Sequence, residues 1–432
     1  MRLETTFEDW TSYALRRKLL QRDVDLDLLA SRSIRKIVGI TGMRRSGKSS
    51  VLMSLAQRLD GSGKRVAYVN MEDQAIIGAQ DPWDQLLAWF GDQEGWLLLD
   101  EVTSAPGWSG WLAKAHELHK DQVHLVVSSS RSGLTLPPKE LRGRLLLTEV
   151  FPLSFPEYVR FKGEKLERTS VGRSRAGAML DDYLRWGGMP EVVLQEDETE
   201  RKALLNAYYR DILGLDVALA VRYEMAEVEM IGRYLLRSPY FSAGRCLAYL
   251  QSVGFRTSKE KLLVLEGLLR ESYLFHFSPI FSYGIKDRGQ YPRKCLPGDN
   301  GFLSAIVGDI SEGRMWEAAV HQSMRSGLPI GEELCYWKDA RGREVDVVER
   351  EGDVIHVAVQ VCSDMREERT KRREIDALVR CTAQLRARRS VLIGDEEWTK
   401  EIEGATVEAI PLLDWLTGQA RGSQPMNEGP VE

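Results

Sequence analysis

A chain of 432 residues, 43% hydrophobic and 28% charged, has a globular composition and is too long for one ordinary core, so roughly two or three domains are expected. Its formal net charge of −5 excludes a chain-wide polycation for nucleic acid and leaves only local basic patches to consider. No apolar run approaches the ~18 residues of a membrane span, and five scattered cysteines without a CxxC pair exclude a zinc ribbon or a disulfide framework. With the acidic start MRLETTFEDW in place of a signal peptide, these features point to the cytoplasm.

Residues 1–33 read as an amphipathic helical lead-in, with Leu15, Leu19, Leu20, Leu26, Leu28 and Leu29 set among charges. A strand-like run from Ile37 to Ile40 and a helical run from Ser50 to Leu59 then flank Gly42-Met43-Arg44-Arg45-Ser46-Gly47-Lys48-Ser49, a full GxxxxGK[ST] phosphate loop. The glycines permit the tight turn that aims backbone N–H groups and the helix N-terminus at a phosphate. The expected nucleotide contacts are therefore Gly42, Met43, Arg44, Arg45, Ser46, Gly47, Lys48, Ser49 and Ser50, with Lys48 on the β- and γ-phosphates and the Ser49 hydroxyl on magnesium. The lead-in is expected to pack beside this pocket.

A second strand over 65–70 ends in Glu72 and Asp73, which serve either the nucleotide edge of a parallel sheet or a helix N-cap. The run Trp96-Leu97-Leu98-Leu99-Asp100-Glu101 is apolar throughout, as a buried parallel strand should be, and finishes in two carboxylates. Asp100 is the expected magnesium partner and Glu101 the general base for the attacking water. His116 and His119 in HELH lack zinc-protease spacing and read as a solvated helix face. The strand 124–127 ends in Ser128-Ser129-Ser130-Arg131, where a polar residue would sense the γ-phosphate. In Leu141-Arg142-Gly143-Arg144, Arg142 or Arg144 is the candidate arginine finger, acting in cis or across a subunit contact, and a surface arginine on a sheet edge is the alternative.

Together, GMRRSGKSS, LLLDEV, SSSRS, LRGR, FPLSFPEY and Trp186-Gly187-Gly188-Met189-Pro190-Glu191 resemble the AAA-like ATPases found widely in archaea and bacteria, in which an ATPase module precedes a nuclease-like C-terminal domain. The resemblance implies ATP bound at Gly42 to Ser49, Asp100 and Glu101 as Walker B residues, and a helical lid over 179–221. Three helical segments (227–237, 243–252 and 258–270) and strand-like segments at 273–277 and 279–283 read as a winged helix, and the resemblance places one here. Its recognition helix offers only Lys259, Lys261 and Arg270, so any DNA contact falls to Lys286, Arg288, Arg293 and Lys294 of the wing, and a protein-contact role stays equally open.

The last domain offers Glu317 on a helix, Asp346 on a strand, and Gln360-Val361-Cys362 on the next strand. A PD-(D/E)XK nuclease needs a carboxylate and a lysine where Gln360 and Cys362 stand, so this second metal site is degenerate and nuclease activity is not expected unless Lys338 or Lys371 compensates. From Arg366 to Arg389 nine Lys/Arg face four Asp/Glu, either a DNA-binding patch or a salt-bridged helix. The expected fold class is α/β: an αβα P-loop NTPase core (1–160), a helical lid (161–222), a winged helix (223–299), a PD-(D/E)XK-like α/β domain (300–420) and a disordered tail (421–432). Magnesium-dependent ATP binding and hydrolysis that controls the C-terminal half is the expected function. The alternatives are an ATP-driven DNA-processing protein and a nucleotide-gated switch for a protein partner.

Overall fold

The computed structural model describes residues 3–31, 33, 35–91, 93–130, 133–219, 223–282, 284, 291–329 and 331–418. Arg131, Val221, Tyr283, Lys286, Arg288 and the tail 421–432, for which the sequence raised expectations, lie outside them. The chain divides into two compact units, the first comprising Met1–Pro152, Asp211–Tyr223 and Leu265–Leu274, and the second Leu153–Arg210, Glu224–Val264 and Phe275–Glu432.

The first unit runs α1 (Glu4–Arg16), α2 (Leu26–Leu29), β1 (Ile37–Thr41), α3 (Lys48–Gly61), β2 (Val66–Asn70), α4 (Gln74–Ile77), α5 (Pro82–Phe90), β3 (Gly95–Asp100), α6 (Trp108–His119), β4 (Val123–Ser128) and β5 (Leu145–Glu149). The five strands form one parallel sheet in the order β2-β3-β4-β1-β5. Alternate residues of the apolar strands feed two cores. Ile37, Leu97, Leu99 and Val127 pack with Trp83, Leu86, Trp111 and Leu112 of α5 and α6, while Val38, Ile40, Leu98 and Val126 pack with Val51, Leu52 and Leu55 of α3. Burial on both faces explains why these strands read as continuous apolar runs. The order also places β4 between β1 and β3, so three strand tips meet at one edge.

The second unit begins with α7 (Phe155–Phe161), α8 (Ser170–Trp186), α9 (Pro190–Val193) and α10 (Glu198–Asp211). The FPLSFPEY run starts α7 through a capping box, in which Ser154 Oγ accepts from Glu157 N at 3.4 Å and Glu157 Oε2 accepts from Ser154 N at 2.9 Å. The WGG turn has a packing reason. Gly187 has φ +75°, and the buried Asp299 carboxylate lies where its Cβ would be. Asp299 accepts from Gly188 N at 2.7 Å and Gly301 N at 2.9 Å, and burial pushes its carboxyl up to about 6.

Next come α11 (Met225–Arg237), β6 (Tyr240–Phe241), α12 (Ala243–Ser252), α13 (Lys259–Glu271), whose residues from Leu265 on belong to the first unit, β7 (Phe275–Ser278) and β8 (Arg293–Pro297), with β6-β8-β7 antiparallel. The expected strand over 279–283 does not pair with β7. Its backbone instead meets Tyr336, which donates to Pro279 O at 3.0 Å and accepts from Phe281 N at 2.6 Å, so β8 takes the hairpin position.

The remaining elements are α14 (Glu312–Ser326), β9 (Glu333–Lys338), β10 (Glu344–Glu351), β11 (Val354–Val361), α15 (Glu368–Leu385), β12 (Arg389–Gly394), β13 (Trp398–Ile402), β14 (Ala405–Pro411) and α16 (Leu412–Leu416). Their mixed six-stranded sheet has the order β13-β14-β12-β11-β10-β9. The basic run is therefore not one helix to Arg389: α15 stops at Leu385, and Arg389 lies in β12, paired with Glu408 at 2.7 Å. All five cysteines are buried thiols.

Candidate nucleotide site and a carboxylate cluster

The phosphate-loop turn leaves β1 through backbone that side chains strain to adopt. Gly42 has φ +136° and Gly47 has φ +101°, and a Cβ on Gly42 would strike the Val150 carbonyl. Helix α3 starts at Lys48, which is 4% exposed and donates from Nζ to the loop's own carbonyls, Gly42 O at 3.1 Å and Met43 O at 2.9 Å. Burial pushes the Lys48 ammonium below its ordinary range, against the pull of Glu101 and Asp100. Ser46 is wholly buried, and among the described residues its Oγ has no hydrogen-bond partner. A buried hydroxyl left so costs about 1–3 kcal/mol.

Asp100 at the tip of β3 is 2% exposed. Tyr68 donates to Oδ2 at 2.8 Å and Ser128 Oγ donates to Oδ1, while Ser49 helps to hold the carboxyl down. Burial and the neighbouring Glu101 charge push this carboxyl up. Glu101 adopts φ +49°, a left-handed backbone for a non-glycine residue, and its N–H donates to Ser128 Oγ at 3.0 Å. Its carboxylate accepts from Ser130 N at 2.9 Å and from the Ser130 hydroxyl. The serine run expected to sense a phosphate thus holds the acid pair, because β4 lies between the two strands.

Two further contacts at the loop were not foreseen. Arg44 pairs with Asp216, Nη2 to Oδ1 at 3.0 Å and Nε to Oδ2 at 3.3 Å, with the Asp216 side chain 2% exposed. Asp216 lies in a π-helical segment, Ile212–Ala218, directly after α10. Burial pushes its carboxyl up while Arg44 pulls it back. A lone acid in the apolar run ILGLDVALA was the available signal, since a buried charge needs a partner. From the lead-in, Arg22 donates to Ser46 O at 2.7 Å and Phe151 O at 2.8 Å.

Other expected residues stand elsewhere. Asp73 caps α4, accepting from Ala75 N at 2.8 Å, and also takes the Trp10 indole N–H at 2.9 Å. Arg144 immediately precedes β5, whose Leu145 pairs with Ile37 at the start of β1, whereas the phosphate loop leaves the other end of that strand. It bonds Glu140 O at 2.9 Å and Glu117 at 3.4 Å. Arg144 therefore stands at the sheet edge opposite the phosphate loop, and Arg142 is exposed.

In the second unit the degenerate trio is rearranged. Lys294, expected on an exposed wing, is 3% exposed on β8. Its Nζ meets Glu317 at 2.5 Å, Asp346 at 2.7 Å and Glu344 at 3.1 Å. Burial opposes its charge, but Asp346, Glu317 and Glu344 hold the ammonium well above its ordinary range. The Gln360 amide is engaged within the domain: Oε1 accepts from Asp346 N at 3.1 Å and Nε2 donates to Glu374 at 2.8 Å. Glu344 was missed although it precedes Asp346 by the two residues that share a strand face. Of the substitute lysines, Lys338 reaches Glu344 at 3.0 Å, and Lys371 pairs with Glu396 instead.

Residues 34–159 match the model of a family described as an AAA domain. An uncharacterised protein of Methanocaldococcus jannaschii is 24% identical over 431 residues, covering 95% of this chain and 94% of that protein. An uncharacterised protein of Haemophilus influenzae is 24% identical over 398 residues, covering 87% and 93%. Among solved structures, AMPPCP-bound DnaA from Aquifex aeolicus shares 15% identity at a TM-score of 0.29, over 60% of this chain and 92% of that one. A chain in the structure of Drosophila ORC bound to AT-rich DNA and Cdc6 shares 10% identity at a TM-score of 0.21, over 70% and 91%.

Proposed function

We propose that the first unit binds ATP with magnesium and hydrolyses it, and that nucleotide state controls the C-terminal half, built of a helical lid, a winged helix and a nuclease-like domain. The observation that carries this reading is a buried ammonium, Lys48, and an unspent buried hydroxyl, Ser46, in a glycine-shaped turn beside the Asp100–Glu101 pair. In it the amides of Gly42 to Ser50 cradle the phosphates, and Lys48 exchanges its loop carbonyls for β- and γ-oxygens. The donor chemistry suits magnesium: the Ser49 hydroxyl and the Asp100 carboxylate are hard oxygens, and Ser49 helps to keep Asp100 ionised. These two residues would hold the ion, which when bound neutralises phosphate charge.

Glu101 accepts the proton of the attacking water, oriented by its bonds to Ser130. Arg44 links the site to the π-helical segment after α10, because an incoming polyphosphate competes with Asp216 for its guanidinium. Arg144 acts as a finger across a subunit contact. The test is equilibrium binding of ATP with magnesium: the parent chain binds, and Lys48→Ala loses at least about a hundredfold in affinity, as expected for a buried charged contact worth about 3 kcal/mol. Equal binding by both would refute the site.

A DNA-directed role is the second reading, supported by the exposed Arg366, Arg369 and Arg372. It expects retention on DNA that weakens steeply with salt. Retention indifferent to salt, or none at all, leaves the nucleotide-gated switch for a protein partner.

A further inference from the structure

The carboxylate cluster of the second unit has the oxygen-rich composition that a divalent ion favours, yet the arrangement does not fit one. Three carboxylates drawn together without a cation would repel one another strongly in a half-buried setting. Lys294 brings them together, its Nζ lying 2.5 Å from Glu317, 2.7 Å from Asp346 and 3.1 Å from Glu344. Most of the remaining oxygens are also spent. Asp346 Oδ2 accepts from Val361 N at 2.9 Å and Glu344 Oε2 takes Lys338 at 3.0 Å, while the Tyr240 hydroxyl adds a bond to Glu344 Oε1, the oxygen that meets Lys294.

The ammonium has no ready exit. Lys294 is in the central strand of the β6-β8-β7 sheet, opposite Tyr240 on one side and Ser278 on the other, so its backbone is fixed from both edges. The side chain is 3% exposed, and turning it elsewhere would bury a bare charge or leave the carboxylates unpaired. Gln360, at the position where a further carboxylate would help to hold a metal, faces Asp346 N and Glu374 instead. Magnesium and manganese need several oxygens close to the ion, at about 2.0–2.2 Å, in the space the ammonium already fills.

We propose that Lys294 is the resident cation of this cluster: its ammonium stands where a divalent ion would stand, closing the site to magnesium and manganese and leaving an ion-paired joint between β8, α14 and β10. The domain then keeps the carboxylates of a metal site without the metal, and its role is structural or adhesive rather than hydrolytic.

The test is a manganese titration of the full chain without nucleotide, followed by electron paramagnetic resonance of the free ion, with thermal melting in parallel. The parent chain and Glu317→Gln should bind manganese alike, because neither has an ion here. Lys294→Ala should gain a manganese bound at least tenfold more tightly than any in the parent chain, lose it again on adding Asp346→Asn, and melt higher with manganese than with chelator. A manganese ion that the parent chain holds and Glu317→Gln loses would overturn the proposal. So would a folded Lys294→Ala chain that binds no more than the parent. If Lys294→Ala does not fold, the comparison between the parent chain and Glu317→Gln still decides.

Discussion

Both units bury a lysine near carboxylates, and the two lysines differ in what they hold. Lys48 spends its donors on the carbonyls of Gly42 and Met43, while Asp100 and Glu101 are kept by hydroxyls and amides from Tyr68, Ser128 and Ser130. Lys294 spends its donors on the carboxylates themselves. Neutral partners can be exchanged for phosphate and metal at modest cost, since each such bond nets only about 1 kcal/mol. An ion cluster knit around an ammonium resists exchange. Having a lysine and acids together therefore says little; the partner the ammonium takes decides what the acids are free to do.

The contrast predicts unequal costs. Lys294→Ala should destabilise the second unit by roughly 3–5 kcal/mol, because it leaves several carboxylates unpaired, whereas Lys48→Ala should cost about 1 kcal/mol while removing nucleotide binding. Denaturant melts of the two variants check this, and equal losses would erase the distinction. Asp299 sharpens it as a buried carboxylate that, among the described residues, is held by backbone N–H groups and not by a cation. Its carboxyl is raised from 3.8 to about 6, so the folded state holds the proton more tightly than the unfolded chain. Its contribution is most favourable below pH 3.8 and declines as pH rises to about 6, by about 3 kcal/mol in all. The stability difference between the parent chain and Asp299→Asn, which does not titrate, should shrink over that window; a flat difference would contradict the assignment.

A smaller effect is expected at Arg44. Arg44→Ala should cost about 2–3 kcal/mol by leaving Asp216 buried and unpaired, and Arg44→Met with Asp216→Leu should recover most of it. No recovery in the double variant would show that the loss comes from elsewhere.

These pairings explain what could be read from the chain. The phosphate loop and LLLDE are contiguous, and their strands are buried on both faces, so pattern and site coincide in a few residues. Lys294 read as a wing cation because its neighbours in sequence are basic, and only the β6-β8-β7 register turns it inward. Arg144 read as a finger for want of knowing that β5 begins beside the start of β1. Asp216 and Ser130 act across gaps of 172 and 29 residues, to Arg44 and Glu101, which no local period reports. Glu344 was within reach of the twofold strand period.

The account rests most heavily on Glu101 as the base of an ATP-hydrolysing site. The measurement that tests it most directly is steady-state turnover of ATP with magnesium by the parent chain and by Glu101→Gln, with nucleotide binding measured on both. The parent chain should turn ATP over, and Glu101→Gln should fall by about 10²–10⁴-fold with undiminished binding. Equal turnover in the two proteins would contradict it.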